Sequence, residues 1–442
     1  MESIDQNIKH QSTSSVADMY AGKSVFITGG TGFLGKVLIE KLLYSCENIK
    51  NIYILLRHKN GLKIEERLSR LINKPLFSRL KTKRPQDFSK IIPIEGDVTC
   101  PNLGLSNTDE KLLIDNVSMV FHLAATVKFN EKLDIALKIN VDGTKHVLEL
   151  CHRLHNIFVY VSSAYSYTGE KKIEERVYPP QTELDEVFKS IEQPNYDEKA
   201  LLKTLPNTYT LTKSLAENLI VKQRGDIPTV IIKPSIICPS LREPMRGWVD
   251  SWAGAVGLAT CTLKGLNLFL LGDKNNVLDV IPVDYVSNTI IVAAAKNVRS
   301  QDVTVYNSCT SSCNPISLKD FSDNSGYFRP MLIYLKSEWV LYMLTFFVQI
   351  VPAHIVDLYL RATGKLPKYV DLQSKIVTGR NLLNYYTNNS WEFKADNIAS
   401  LHSSLSHLEK IAFPCDASDI NWTSYLCDFI YGVKSYLLKK MR

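Results

Sequence analysis

This 442-residue chain has no paired cysteine spacing. Its nine cysteines are odd in number and include no C-x-x-C pair and no His/Cys ligand spacing. That excludes a disulfide framework and a zinc site, leads us to expect no metal, and implies a reducing, intracellular compartment. No apolar run reaches the roughly 20 residues needed to span a bilayer. The run Trp339–Val351 has thirteen and stops at Pro352, so a buried or interfacial helix is expected there, with peripheral membrane contact at most. The N-terminus is polar and Ser-rich without an apolar h-region, and residues 1–19 read as a flexible leader, not a signal peptide. Dense charge of one sign is also missing. The formal charge of +7 is spread along the chain and the basic patch Lys81-Thr82-Lys83-Arg84 is short, which argues against nucleic acid as a partner. Mild basicity does suit polyanionic small molecules.

What is present is a globular balance, 45% hydrophobic and 22% charged, in a chain long enough for two domains. An apolar run, Ser24-Val25-Phe26-Ile27, leads into Thr28-Gly29-Gly30-Thr31-Gly32-Phe33-Leu34-Gly35, and a helical pattern follows from Lys36 to Leu43. Strand, glycine turn and helix in this order form a dinucleotide site. Gly29, Gly32 and Gly35 let the backbone turn sharply, approach a pyrophosphate and seat the helix, whose N-terminal N–H groups face the phosphates. Thr28, Thr31, Phe33 and Leu34 share that turn and are candidate contacts.

Further along, Asn51–Leu56 reads as a second buried strand, ending in Arg57-His58-Lys59. An NAD site places a carboxylate there, whereas a 2′-phosphate needs cations, so Arg57, assisted by Lys59, points to NADPH. Leu62–Leu80 has helical spacing. Ile91–Ile94 then leads into Glu95-Gly96-Asp97-Val98, where Asp97 is the candidate acceptor for the adenine amine and Val98 adjoins it. A fourth strand, Met119–Thr126, carries Ala124 and Ala125, small enough to lie against the cofactor ribose, while His122 reads as structural. After a helix over Leu133–Leu150, the strand Ile157–Val161 delivers Ser162 and Ser163 at its carboxyl end, the side where open α/β sheets bind ligands. A sixth strand, Thr229–Ile237, holds Pro234-Ser235-Ile236 for packing against the nicotinamide. The alternation predicts an α/β fold, a doubly wound parallel sheet of the Rossmann type.

Chemistry is predicted in Tyr209-Thr210-Leu211-Thr212-Lys213. Residues i and i+4 share a helix face, so the Lys213 ammonium can act on the Tyr209 phenol. A tyrosine titrating near ~10 becomes a proton donor when a lysine ammonium and an oxidised nicotinamide lower that value. Ser163, with Ser162 second, is the hydroxyl that would hold the substrate oxygen. Between Ser163 and Tyr209 lies a long insertion, with Tyr178-Pro179-Pro180 and an acidic segment Glu183–Glu198, expected to cover the site.

The glycine turn resembles the TGxTGFLG signature of extended short-chain dehydrogenases/reductases, and of fatty acyl-CoA reductases in particular. The resemblance runs from about Tyr20 to the end, through Lys233-Pro234-Ser235-Ile236, Glu243-Pro244-Met245-Arg246-Gly247-Trp248-Val249-Asp250, Ile281-Pro282-Val283-Asp284-Tyr285-Val286, Val305-Tyr306-Asn307, Asn314-Pro315, Asn389-Ser390-Trp391-Glu392-Phe393 and Ile420-Asn421-Trp422. It implies an NADPH-binding reductase domain over residues 20–314 and a smaller helical domain over 315–442, where Ile376, Leu382, Leu383, Leu401, Leu405 and Leu408 recur at helical intervals. It also implies a long-chain fatty acyl-CoA substrate, a fatty alcohol product, two NADPH per turnover, and a place at the cytosolic face of the endoplasmic reticulum or peroxisome membrane. Many members continue into a hydrophobic tail where this sequence has Lys439-Lys440-Met441-Arg442, so membrane anchoring by such a tail does not carry over from the resemblance.

From the residues alone, two other classes stay open. A hydroxysteroid or sugar-nucleotide dehydrogenase would use the same Ser-Tyr-Lys trio, with the helical domain after Asn314 against it. A cofactor-binding protein without turnover is opposed by the intact Tyr209 and Lys213. Acyl length preference and oligomeric state are not legible, because pocket shape depends on side chains that only folding brings together.

Overall fold

The computed structural model describes residues 15–58, 61–154, 156–252, 254–298, 300–323 and 332–438; Lys59, most of the leader and the basic end Lys439–Arg442 lie outside them. Thirteen strands follow in chain order: β1 Ser24–Thr28, β2 Asn51–Leu56, β3 Ile91–Glu95, β4 Val117–His122, β5 Ile157–Val161, β6 Lys172–Ile173, β7 Thr229–Pro234, β8 Ile236–Cys238, β9 Phe269–Leu271, β10 Val280–Pro282, β11 Val303–Ser308, β12 Ile333–Leu335 and β13 Glu392–Phe393. Seven form one sheet in the order β11-β7-β5-β4-β1-β2-β3, every pairing parallel. A sheet covered by helices on both faces needs apolar residues on both faces of its strands, and β1, β5 and β7 are buried at every position. This is the doubly wound architecture the alternation predicts, with a helical C-terminal region.

Three expectations are corrected. The stretch Thr229–Ile237 is two strands, not one. At Ser235 the chain leaves the large sheet, its N–H bonding Ser308 O, and Ile236 goes on to pair with β10. The insertion before Tyr209 gives Tyr165 to the pocket wall, but its later part, the acidic segment Glu183–Glu198 included, does not line the pocket. Val187, Leu201 and Leu205 pack into the core against Leu211 and Leu215, because their apolar spacing gives those short helices one face to bury. Nor does Pro352 end the apolar helix, which runs over Glu338–Ala362, 25 residues. A wide turn at Phe346–Ile350, where the Val351 N–H reaches back to Phe346 O, shifts the hydrogen-bond ladder just before the proline that lacks a donor. Among the described residues this is one helix long and apolar enough to cross a membrane, and Trp339, Tyr342, Phe347, Leu358 and Tyr359 on it are exposed.

Both ends of the described chain join the main core. Within the leader, Val16 is buried and its N–H bonds the Glu409 carboxylate at 2.8 Å. Ile398, Leu401, Phe413, Tyr425 and Phe429 belong to the same apolar cluster as Val25 and Ile27. The helix Trp422–Gly432 meets the loop after β8 backbone to backbone. A Cβ on Gly432 would lie 1.7 Å from Gly247 O, and one on Gly247, at φ +66°, would lie 2.1 Å from Asp428 O. Beside this contact Trp248 is fully buried, 5.1 Å from the Tyr436 ring.

Candidate active site

The glycine turn leaves β1 with Gly29 at φ +75°, where a Cβ would stand 2.7 Å from both Leu123 C and Ala124 N. A Cβ on Gly35 would come within 2.4 Å of Gly29 O. Turn, β4 exit and helix Phe33–Ser45 are thus in backbone contact, and Gly32, the N-cap, offers that helix no side-chain cap. Unpaired N–H groups at an open helix start, reached across glycine backbone, fit a pyrophosphate, so these residues would hold a dinucleotide.

One pocket of about 440 Å³ brings Gly29, Gly32, Phe33, Leu34, Gly35 and Ala125 together with Ser163, Tyr209, Lys213, Pro234, Ser235 and Ile236. The other candidates support or flank it. The Thr28 hydroxyl is 2.6 Å from His122 Nδ1 and accepts the Ala124 N–H. His122 Nε2 reaches Thr144 Oγ1 at 3.1 Å, and burial pushes its imidazole down to about 3, so this histidine is a neutral structural strut. Val98 packs against Gly143 in the core. Thr31 accepts at its carbonyl from Lys36 and at its hydroxyl from Arg67. Arg57 and Asp97 pair with each other at 3.2 Å, the arginine half exposed. Burial raises the Asp97 carboxyl, but the Thr99 N–H and hydroxyl, with Arg57, outweigh it and hold the group below its ordinary value. Arg67 also donates to Arg57 O, so two guanidiniums flank the end of β2.

Tyr209 and Lys213 sit on the helix Thr208–Gln223, capped by Asn207, whose side chain accepts the Thr210 N–H. Ser163 beside the Tyr209 phenol favours its ionisation, but burial outweighs that, pushes the phenol up to about 12 and keeps it protonated. The Lys213 amine donates to Val161 O at 2.7 Å and to the Tyr160 hydroxyl at 3.1 Å. Burial brings it down to about 7, opposed by the nearby Glu217 carboxylate. Glu217, 2% exposed, accepts from Ser162 Oγ and lies 3.1 Å from the ammonium of the fully buried Lys233. Tyr209, Lys213 and Glu217 therefore follow at i, i+4 and i+8 on one helix face, a spacing the sequence displays but whose third member drew no attention. Also missed were Phe129, Tyr165, Leu383 and Tyr386, which complete the pocket wall. Tyr386 comes from the helix Tyr369–Asn388, and its hydroxyl accepts from Asn207 Nδ2 at 3.1 Å, tying the catalytic helix start to the C-terminal region. No local pattern marks residues joined across such distances in the chain.

Fold and site together define an NAD(P)-binding oxidoreductase of the extended short-chain dehydrogenase/reductase type. Its shape agrees with the terminal reductase domain of the myxalamid biosynthetic pathway at a TM-score of 0.65, 18% identity, covering 95% of this chain and 92% of that one. Residues 27–290 and 348–440 match two family descriptions, both "Male sterility protein", the first an NAD-binding one. Fatty acyl-CoA reductase 1 of Xenopus laevis is 37% identical and that of Homo sapiens 35%, each over 96% of this chain and 87% of the relative. The chain belongs to the fatty acyl-CoA reductase family.

Groups facing Lys213 are Tyr160 on β5, Tyr209 and Glu217 on its own helix, neutral His122 on β4, and Lys233 on β7 beyond Glu217. A carboxylate favours the ammonium, so removing its charge lowers the Lys213 pKa. Where turnover needs the ammonium, kcat/KM falls as pH rises through about 7, and in Glu217→Gln the fall comes about one unit lower. A pH–rate profile with an unmoved limb would remove Glu217 from this role.

Proposed function

We propose that this enzyme reduces a long-chain fatty acyl-CoA to the primary fatty alcohol and coenzyme A, with NADPH as the reductant. The observation that carries the reading is the convergence of Ser163, Tyr209 and Lys213 on the pocket that holds the glycine cradle, in a chain of this family. A bound nicotinamide supplies the hydride. Ser163 and Tyr209 donate hydrogen bonds to the thioester oxygen as it gains charge. Tyr209, partly buried and protonated, is the proton donor, and Lys213, anchored on Val161 O, stabilises the phenolate left behind. Collapse of the hemithioacetal releases thiolate and leaves an aldehyde at the same hydroxyls, where a second hydride and proton yield the alcohol. Relatives named as reductases over nearly the whole chain favour this over a hydroxysteroid or sugar-nucleotide dehydrogenase, and over a protein without turnover.

For the cofactor, Arg57 and Arg67 beside the end of β2 favour a 2′-phosphate, while Asp97 serves the adenine side. The exposed aromatic and aliphatic side chains of the helix Glu338–Ala362 favour peripheral contact with a lipid surface, at the cytosolic face of an intracellular membrane.

Two cofactor molecules are expected to be oxidised per coenzyme A released, with little aldehyde captured by a trap. A ratio near one with stoichiometric trapped aldehyde refutes the alcohol-forming reading. In titrations, Arg57→Ala is expected to weaken NADPH by about tenfold or more through loss of a charge-assisted bond, with NADH little changed; equal losses mean Arg57 only shapes the loop. Flotation with phospholipid vesicles should carry the protein upward, and replacing Trp339 and Phe347 by Ser should leave it at the bottom. Unaltered flotation of that variant removes the helix as the contact.

A further inference from the structure

A second cavity adjoins the catalytic pocket, and Ile236, Leu383 and Tyr386 line both. Its remaining wall is largely apolar, including Leu258, Leu270, Leu278, Phe321, Leu426 and Phe429; Thr262, Asn267, Ser322, Tyr334 and Thr387 are its polar members, the Asn267 Oδ1 is buried without a partner, and the lining carries no charged side chain. Several polar groups around it are already engaged within the protein. Tyr386 OH accepts from Asn207, Tyr334 OH donates to Leu318 O at 2.8 Å, and Thr387 Oγ1 donates to Leu271 O at 2.6 Å. With most of its lining apolar and no cation in it, this space suits a hydrocarbon better than a phosphate or a carboxylate.

The β9/β12 pair forms part of its wall. Paired residues Leu270 and Tyr334 face the cavity, while Phe269 and Leu271, the alternate positions of β9, pack against Leu341 of the apolar helix Glu338–Ala362. Phe321 and Phe429, which do not line the catalytic pocket, meet edge-on at 5.8 Å in the cavity lining.

We propose that this cavity is the slot for the hydrocarbon chain of the substrate, entered past Ile236, Leu383 and Tyr386, with Leu270 and the Phe321–Phe429 pair setting the chain length it accepts. The proposal rests on the acyl-CoA reading of the catalytic pocket and adds where the chain lies. The thioester end stays at Ser163 and Tyr209, and each methylene that enters the slot leaves water, which multiplies kcat/KM about fourfold until the slot is full.

The test compares wild type, Leu270→Trp and Phe321→Ala on a series of saturated acyl-CoAs from short to long. In parallel, binding of a fluorescent polyene fatty alcohol is measured without cofactor. Leu270→Trp, which fills the slot, is expected to lower kcat/KM for the longest substrates by more than tenfold, leave the shortest unchanged and weaken the polyene. Phe321→Ala, which enlarges it, is expected to move the optimum to longer chains. Equal effects on short and long substrates, or an unmoved optimum in Phe321→Ala, overturn the slot while leaving the reductase reading intact. If no acyl-CoA is turned over by any form, the function fails, and the polyene still decides the slot: undiminished binding by Leu270→Trp overturns it. Should Leu270→Trp not fold, Phe321→Ala decides by the shift in its optimum and, where turnover is absent, by stronger polyene binding than wild type, unchanged binding being the refutation.

Discussion

A carboxylate buried as deeply as that of Glu217 is costly unless charges and hydrogen bonds around it compensate, and much of the active-site geometry is that compensation. The ammonium of Lys233 approaches it from β7, the Ser162 hydroxyl from β5, and Lys213 from one turn earlier on the same helix. Satisfying one carboxylate therefore fixes the catalytic helix against two neighbouring strands of the sheet. The same arrangement sets Ser163, next in sequence to Ser162, beside Tyr209. Placement of the reacting hydroxyls is thus a by-product of solving a solvation problem several ångströms away.

The motifs outside the glycine turn work by a similar logic, joining the cofactor half to the rest. Asp250 holds Lys36, on the first turns of the glycine-loop helix, at 2.8 Å and Lys74 at 2.9 Å. Asp284 accepts three successive backbone N–H groups, those of Leu241, Arg242 and Glu243, and so shapes the loop that carries Gly247 and Trp248. Asn314 donates to Ala417 O and Ile420 O and receives the Trp422 indole N–H. Trp391 lays its ring 5.8 Å from Tyr165, two residues past Ser163. These side chains do not contact a substrate in the proposed mechanism. They hold loops at fixed places around the pocket.

How much of this was legible in the sequence follows from the range of the interactions. The strands β1 to β5 pair across long stretches of chain, but they, the glycine turn and the Tyr209–Lys213 pair each carry a local mark, an apolar run, a glycine spacing or an i, i+4 interval, and local pattern revealed them. The break at Ser235 did not show, because apolar residues continue across it and only the partner strand changes, from β11 to β10. Pro352 misled because its ordinary effect on a helix was absorbed by the wide turn just before it. The long insertion looked like a lid, but its apolar residues face the core, a direction that spacing alone does not give. The pocket wall was illegible for a different reason: Phe129, Tyr165 and Tyr386 are assembled from three distant segments, and Tyr386 meets the other two at 5.5 and 4.9 Å.

The glycine contact between residues 247 and 432 bears on how the polypeptide emerges from the ribosome. Two backbones that touch without intervening side chains lock only when both are present, and here they are separated by most of the second half of the chain. The β6 strand likewise waits for β13, and Trp248 for Tyr436. Loop-closure entropy must be met before such contacts bring any stabilisation. The nucleotide-binding sheet can pair as soon as β11 is made, but its outer loops have nothing to close on until nearly the whole chain has been synthesised. During that interval the faces meant for the helix Trp422–Gly432 are open to solvent, so a nascent chain of this protein exposes apolar surface of the kind that drives aggregation until its last helix is made.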